Sequence, residues 1–292
     1  MFKAIVFSCL HYSLKQPIMR TENYGELILN KLKWILDFAN DKKAMLLFTG
    51  DLFHRKYGVT FKEVNMLMET IGDNKIYGIL GNHDVQGYYA MNTDVLPIGV
   101  LIKAKKFIPM PEHTYFMFDG VAITGKHYCI NYDVPETYDV MVKDCDYHIH
   151  LTHGMLTNKK TPYDSVSVNQ VEVNADILVN GHNHGFWQDE ERKIINIGSI
   201  ARVAMDNNEI NKQPKILYIE GKKTSFIDVP IEKDVWLSEV KRETLDADEV
   251  EKFAKSIKEM ELSSDEEILK EILKNESEEI QKRVCSYLEE KE

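Results

Sequence analysis

Six short polar motifs limit the folds that this sequence can adopt, and they hold six of its ten histidines. Five of the motifs come within two residues of the end of a short apolar run of strand length. These runs are residues 4–7, 44–48, 76–80, 147–151 and 176–179. Open α/β sheets bind ligands at the carboxyl ends of their strands, so the sequence predicts an α/β fold with a polar site at one sheet edge. The motifs are Ser8-Cys9-Leu10-His11, Gly50-Asp51-Leu52-Phe53-His54, Gly81-Asn82-His83-Asp84, Thr152-His153-Gly154, Gly181-His182-Asn183-His184 and Asn196-Ile197-Gly198-Ser199.

The overall composition is typical of a soluble globular protein with a substantial core. The chain has 292 residues, of which 43% are apolar and 28% charged. No apolar run approaches the roughly 20 residues of a membrane helix, so we expect no membrane partner. The segment before the first motif is too short for a signal peptide, and the four cysteines show no paired spacing. A cytoplasmic location is therefore expected, in the host cytoplasm if the protein is phage-encoded.

The negative charge is concentrated near the C-terminus. Residues 234–292 carry −9 of the net −11, which leaves −2 for residues 1–233. The change in composition predicts a main domain over 1–233 and an acidic, mainly helical region over 234–292, with helices at 246–260, 264–274 and 277–290. The near-neutral main domain remains compatible with a phosphodiester substrate, whereas the acidic region is a poor surface for one.

Two further patterns predict secondary structure in the main domain. Apolar residues recur at helical spacing over residues 24–40 and again over 61–71. Residues 216–220 and 224–229 predict two strands of a hairpin, joined by a turn at Gly221 and Lys222.

Asp51 is the candidate centre of a metal site. Two divalent cations can clamp the attacking and leaving oxygens of a phosphoryl displacement, and such a pair needs a bridging carboxylate. Asp51 follows a buried strand, and Gly50 permits the tight turn that such a position requires.

The order of the motifs resembles that of the calcineurin-like metallophosphoesterase superfamily. The resemblance implies a four-layer α/β/β/α sandwich of two mixed sheets, followed here by a small α-rich C-terminal appendage. It also implies two divalent metal ions. Mn²⁺ is our first choice for a mixed nitrogen and oxygen ligand set, and Fe²⁺, Zn²⁺ or Mg²⁺ are alternatives. Site one would take position 9, His11, Asp51 and His184, and site two would take Asp51, Asn82, His153 and His182.

The resemblance also assigns a catalytic role to His83, as a general acid or a stabiliser of the transition state. Asp84 would either orient His83 or serve as an acid of the turn. The remaining histidines, His113, His127, His148 and His150, are interpreted as packed or surface residues.

Position 9 departs from the family pattern, which has aspartate where this chain has Cys9. Three interpretations are open. Cys9 ligates the metal of site one as a thiolate, which favours zinc or iron. Alternatively it does not ligate and leaves site one weak, or it is a packing residue in a protein whose role has become regulatory. Because His11 and His184 remain, we expect an active enzyme with an altered site one.

The presence of His54 three residues after Asp51 indicates one branch of the superfamily. Residues 49–54, 81–84, 151–156, 175–185 and 196–202 are most similar to the SbcD-type nuclease subunit of double-strand-break repair complexes. That resemblance implies a DNA nuclease of repair and recombination, with 3′→5′ exonuclease and single-strand endonuclease activity. It also implies an SbcC-type ABC ATPase as partner, and usually a homodimer. His54 would steer the scissile phosphate or support Asp51.

Outside the motifs, two regions are candidates for binding partners. Residues 234–292 would form a reduced capping region followed by a short helix pair for the ATPase. Basic residues in loops could meet DNA phosphates. They are Lys103, Lys105, Lys106, Lys159, Lys160, Arg192 and Lys193.

Two other functions remain open on the sequence alone. One is a metallophosphatase or phosphodiesterase that acts on small substrates. The other is a non-catalytic scaffold that binds DNA or an ATPase through a degenerate metal site, for which Cys9 is the main support.

Overall fold

A computed structural model describes residues 1–17, 20, 23–85, 93–129, 131–159, 165–203 and 211–231. The chain divides into two compact units, Met1–Leu237 and Ser238–Glu292. The second unit lies outside the described residues, as do the helices predicted within it, so the domain division stays a prediction. No helix in the described part is both long and apolar enough to cross a membrane.

The described residues form three α-helices, three short 3₁₀ helices and fourteen strands. The helices are α1 (Tyr24–Lys42), α2 (Phe61–Ile71) and α3 (Pro97–Lys103), with 3₁₀ turns at Thr93–Val95, Pro135–Thr137 and Val168–Gln170. The strands are β1 (Lys3–Phe7), β2 (Met45–Phe48), β3 (Ile76–Gly78), β4 (Phe107–Pro109), β5 (Phe116–Phe118), β6 (Val121–Gly125), β7 (Tyr147–Thr152), β8 (Leu156–Thr157), β9 (Val166–Ser167), β10 (Ile177–Asn180), β11 (Trp187–Asp189), β12 (Ile194–Asn196), β13 (Lys215–Glu220) and β14 (Lys223–Asp228).

Two mixed six-stranded sheets make up the fold. The first has the order β14-β13-β1-β2-β3-β4, and the second has the order β11-β12-β10-β7-β6-β5. Strands β1 to β4 run parallel to one another, as do β6, β7, β10 and β12. The antiparallel pairings are β1 with β13 and β13 with β14 in the first sheet, and β5 with β6 and β11 with β12 in the second. The parallel strands of each sheet therefore place their carboxyl ends together, and the polar motifs follow those ends.

Alternation along β1 explains how the layers pack. Ile5 and Phe7 point to one face, where they join the core formed with α1, α2 and α3. Ala4 and Val6 point to the other face and join the core between the two sheets. A strand buried on both faces reads as a continuous apolar run, which is why the sequence pattern located it.

The helices that cover the first sheet have clear sequence boundaries. In α1 the side chain of Asn23 caps the first turn, and Lys43 ends the helix in a left-handed conformation. In α2 the side chain of Thr60 accepts from the backbone of Glu63, whose own carboxylate accepts from the backbone of Thr60.

A third apolar cluster covers the outer face of the second sheet. It includes Tyr138, Leu156, Val166, Leu178 and Ile194. In the part of the chain that the structure describes, this layer is built from the small β8-β9 sheet and 3₁₀ turns rather than α-helices.

The predicted α/β class and the sandwich of two mixed sheets are confirmed. The five predicted strands that precede motifs, the two predicted helices and the hairpin are all present, with ends that differ by two residues or fewer. The predicted α-rich appendage lies outside the described residues.

Candidate metal centre

The loops that follow β1 and β2 are held side by side by backbone hydrogen bonds. The amide of Cys9 donates to the carbonyl of Gly50, and the amide of His11 donates to that of Asp51, both at 3.0 Å. Cys9, His11 and Asp51 all have positive φ, at 49°, 44° and 64°. These side chains are therefore aimed by unusual backbone conformations that the paired loops maintain.

The last motif fastens this pair of loops to the second sheet. The amides of Ile200 and Ala201 donate to the carbonyls of Ser8 and Cys9 at 3.1 and 3.2 Å, and the amide of Ser199 donates to the carbonyl of His184 at 3.1 Å. The motif at residues 196–199 thus positions ligands and contributes none of its own.

Site one gathers Cys9, His11 and His184. Their ligand atoms all lie within 4.8 Å of one another. The Nε2 atoms of the two histidines are 3.0 Å apart. Cys9 and His11 are buried, and His184 is half-buried. Burial is the largest influence on the pKa of His11 and lowers it, so that its imidazole is neutral.

Site two gathers Asn82, His153 and His182. The Oδ1 atom of Asn82 lies 3.1 Å from His153 Nε2 and 3.0 Å from His182 Nδ1. The Nδ1–H group of His153 donates to the carbonyl of Thr49 at 2.5 Å. This bond fixes the tautomer of His153, so its Nε2 lone pair points at the same space as the oxygen of Asn82.

Asp51 lies between the two sites. One oxygen of its carboxylate, Oδ2, is 3.6 Å from His11 Nε2 and 3.2 Å from His153 Nε2. Burial alone would raise the pKa of Asp51, but its interactions with the adjacent imidazoles, first His153 and then His11, outweigh burial and hold that pKa well below its usual range. The carboxylate is therefore ionised and faces one ligand of each site.

Gly50 allows this close approach. Its φ is 104°, and a Cβ atom there would lie 2.5 Å from His153 Nδ1. Any larger residue would push His153 away from Thr49 and from Asp51, so the second motif requires glycine at this position.

His83 and His54 lie beside site one. A ligand nitrogen of each belongs to a group with His11 whose atoms are within 4.8 Å of one another. The rings of His83 and His54 stack, with centroids 5.9 Å apart. His83 Nδ1 meets the carbonyl of His54 at 2.6 Å, which leaves His83 Nε2 as the nitrogen that can face a substrate.

Asp84 lies beneath the turn that carries Asp51. Its carboxylate accepts from the backbone amides of Asp51 and Gly81 at 2.7 and 3.0 Å, and also from those of Leu52 and Phe53. Burial and the charge of Asp51 raise the pKa of Asp84 to about 6. These contacts belong to an acid of the turn. The hydrogen-bond partner of His83 Nδ1 is the carbonyl of His54 and not Asp84, whose predicted role in orienting His83 stays a prediction.

Some residues that shape the site lie outside the six motifs. The hydroxyl of Tyr132 accepts from the amide of His153 at 2.8 Å and donates to the carbonyl of Lys126 at 3.0 Å. Buried Asn180 bonds to Thr152, Gly154 and Asn196. Both residues position the loop of His153 but lie far from it in sequence, so a periodic pattern of residues could not reveal these contacts.

The model of the calcineurin-like phosphoesterase family matches residues 2–186, which is more than half of the chain. The chain belongs to the calcineurin-like phosphoesterase family. No curated protein matches it in sequence.

Solved structures provide weaker likenesses. The protein TT1561 of Thermus thermophilus is 11% identical with a TM-score of 0.46, and the match covers 78% of this chain and 99% of that one. A hypothetical protein from Thermus thermophilus is 12% identical with a TM-score of 0.40, over 78% of this chain and 100% of that one. The family assignment rests on the sequence match alone.

The donor set of this calcineurin-like phosphoesterase fits the two divalent metals that the family typically binds. The buried nitrogens His11 Nε2 and His184 Nε2 face each other, and His153 Nε2 faces two oxygen atoms. Imidazole nitrogens that converge with one another and with carboxylate and amide oxygens are the donor types that a divalent cation binds.

The basic loop residues do not gather at this centre. Lys103, Lys105 and Lys106 precede β4, and Arg192 and Lys193 precede β12, so they lie at the opposite ends of the parallel strands. Lys103 pairs with Asp94, and Arg192 pairs with Asp189. These five residues therefore do not line the candidate metal centre, and their contact with DNA phosphates stays a prediction; Lys160 lies outside the described residues.

Histidines outside the motifs have structural roles. His148 and His150 are buried on either side of Thr124 Oγ1, each at 2.8 Å. His127 accepts from the amide of Leu80 and contacts the carbonyl of Met110, while His113 is exposed. All four therefore match the interpretation as packed or surface residues.

Proposed function

We propose that this metal-dependent phosphoesterase is a nuclease that hydrolyses DNA phosphodiester bonds in repair or recombination. The observation that carries the proposal is the position of His54, whose ring nitrogen lies within 4.8 Å of those of His83 and His11. Two imidazoles beside the metal ligands provide one group for the leaving oxygen and one for a non-bridging oxygen of the phosphate.

The residues suggest a simple division of work. Two divalent cations held by the ligands of sites one and two would supply Lewis acidity and a water of lowered pKa. As the oxygen of a hydroxide ion bonds to phosphorus, the bond from phosphorus to the leaving oxygen breaks. His83 donates its Nε2 proton to that oxygen, while its Nδ1–H remains on the carbonyl of His54.

Basic groups close to the centre support a polyanionic substrate. Arg55 follows His54 directly and is half-buried, with its guanidinium 3.3 Å from Glu63. Lys126 follows the carboxyl end of β6 and is exposed. Both lie on loops at the same end of the strands as the metal ligands, unlike the five basic residues at the opposite end.

Cleavage of labelled linear duplex DNA with Mn²⁺ tests the proposal. We expect degradation by the unaltered protein and by His113→Gln, in which an exposed histidine is changed, and strong loss for His83→Gln. Turnover of p-nitrophenyl esters without DNA cleavage would instead indicate a small-substrate phosphoesterase. DNA binding without any hydrolysis would indicate a scaffold.

We further propose that an SbcC-type ABC ATPase is the partner, with residues 262–292 as its binding segment, and that the nuclease works as a homodimer. The support is the SbcD-type resemblance and the acidic composition of residues 234–292. Co-purification with the ATPase should be lost when residues 262–292 are deleted from the chain. Undiminished co-purification of the shortened chain would refute this role.

A further inference from the structure

We infer that site one selects a soft divalent cation such as Zn²⁺, while site two takes a harder one such as Mn²⁺. The reason is the thiol of Cys9, which stands among the ligand atoms of site one. This inference rests on the metal binding of the proposed function and not on its DNA substrate.

The geometry of site one suits a cation bound by sulfur and two nitrogens. The Sγ atom of Cys9 and the ring nitrogens of His11 and His184 all lie within 4.8 Å of one another. The nitrogens are 3.0 Å apart. Two Zn–N bonds at a tetrahedral angle would place their nitrogens about 3.3 Å apart, so only a small adjustment is needed.

Asp51 completes the set. Cys9 and Asp51 also belong to one group of ligand atoms within 4.8 Å, together with His153. One sulfur, two imidazole nitrogens and one carboxylate oxygen form a four-coordinate set of the kind that zinc prefers.

Burial and the charge of Asp51 raise the pKa of the Cys9 thiol, so its thiolate form would depend on a bound cation, while a neighbouring hydroxyl orients the sulfur. The Ser8 hydroxyl donates a hydrogen bond to Cys9 Sγ at 3.2 Å, and both residues are fully buried. A donor aimed at a buried sulfur orients it as a ligand. A thiolate also carries the same single negative charge as a carboxylate, so the charge of the site is kept while its softness changes.

The backbone conformation of Cys9 is unusual for a cysteine and supports a role for its side chain as a ligand. Its φ of 49° is a left-handed conformation, which aspartate and asparagine adopt more readily than cysteine. Hydrogen bonds from its amide to Gly50 and to its carbonyl from Ala201 maintain that conformation. The loop therefore presents this side chain to the site in spite of the local strain.

Site two offers a different chemistry. Its ligands are the amide oxygen of Asn82, two imidazole nitrogens and the carboxylate of Asp51. Among these residues no sulfur is present, and the oxygen donors suit Mn²⁺ better than a thiophilic ion. A mixed pair of cations is therefore the state that the two ligand sets favour.

Cobalt spectroscopy of the full-length protein tests the inference directly. Co²⁺ substitutes for Zn²⁺ and gives a near-ultraviolet charge-transfer band when a thiolate is bound. We expect this band in the unaltered protein and in Cys145→Ser, a matched control that removes a half-buried cysteine outside the centre. Cys9→Ser and Cys9→Asp should lack the band.

A second measurement compares affinities without any substrate. In Cys9→Asp, which restores the carboxylate of the family, the preference of site one for Zn²⁺ over Mn²⁺ should fall by at least about tenfold. A Co²⁺-loaded protein without the band, or a band that persists in Cys9→Ser, would overturn the inference. Neither result depends on DNA cleavage, so the nuclease proposal would stand or fall separately.

Discussion

The two halves of the metal centre differ in how the protein holds their ligands. In site two, His153 is fixed by a bond from Nδ1–H to the carbonyl of Thr49 and by the Tyr132 hydroxyl on its amide. In site one, His11 Nδ1 is buried and has no hydrogen-bond partner among the described residues. One half is therefore oriented by its surroundings, whereas the other depends more on the cation itself.

Because of this difference, the metal affinity of site one should depend strongly on which residue occupies position 9. Loss of an outer hydrogen bond to a metal-binding histidine typically lowers affinity by about 10–100-fold. A strong soft ligand beside His11 offsets such a loss for a thiophilic ion but not for Mg²⁺ or Mn²⁺. We therefore expect site two to fill with hard cations more readily than site one.

The largest effect should follow from removal of the group that both halves share. Asp51→Asn keeps an oxygen that can accept from the amide of His83, which now lies 2.8 Å from Asp51 Oδ1, but removes the negative charge. Both ions should be lost, and turnover should fall by about 10³-fold or more, since metal catalysis supplies several kcal/mol. Metal content by mass spectrometry and hydrolysis of bis-p-nitrophenyl phosphate measure the two effects, and two retained ions would contradict the shared role.

The next largest effect separates catalysis from metal binding. His83→Ala should lower the turnover number by about 10²–10⁴-fold while both ions remain bound, because in our proposal His83 protonates the leaving oxygen and binds no metal. The measurement is steady-state hydrolysis together with metal content. Loss of an ion in this variant would assign His83 to the ligands instead.

Two measurements on one variant test whether site one and site two bind metal independently. Asn82→Ala should weaken Mn²⁺ binding by at least about tenfold and leave Co²⁺–thiolate absorption unchanged, since its oxygen belongs to site two alone. Calorimetric titration with each ion measures the affinities. Equal weakening of both ions would show that the halves are not independent.

Particular strands show which parts of the fold could be predicted from the sequence. Strands β1 and β2 were predictable because each contains a continuous run of four apolar residues that ends within two residues of a motif. Strands β7 and β10 were predictable because short runs rich in apolar residues also end at motifs. The gathering of the candidate ligands at one place could be predicted because the motifs follow the ends of parallel strands. Strands of two or three residues, such as β8 and β9, contain too few positions to show a period.

The supporting contacts could not be predicted for a different reason. Tyr132 holds His153 from 21 residues away, and nothing in its local pattern distinguishes it from any core tyrosine. The role of Asp84 depended on the fold of the turn, and the positions of the basic loops depended on strand direction. Such roles arise from tertiary contacts that single-chain patterns do not encode.

A smaller effect is expected from the residue that holds the loop of His153 in site two. Tyr132→Phe removes the hydroxyl that accepts from the amide of His153 and leaves that buried donor without a partner. The free energy of unfolding should fall by about 1–3 kcal/mol. Mn²⁺ affinity should fall as well, whereas the Co²⁺–thiolate band should not change. Thermal unfolding and titration measure both, and an unchanged melting temperature would contradict the role of Tyr132.

The smallest effect concerns the helix that supports the loop after His11. Glu63 accepts from the amides of Thr60 and Leu14 at 2.7 and 2.9 Å, so it ties α2 to that loop. Thr60→Ala removes the cap and should lower stability by about 1 kcal/mol. Metal affinity at site two should not change, and a measurable loss there would show that the halves are coupled through α2.

The most direct test of the central claim is anomalous X-ray diffraction from crystals of the protein loaded with Zn²⁺ and Mn²⁺ together. We predict a zinc signal bonded to Cys9 Sγ, His11 and His184, and a manganese signal at Asn82, His153 and His182, with Asp51 between them. Manganese bound beside Cys9, or a thiol that points away from an occupied site one, would contradict the account.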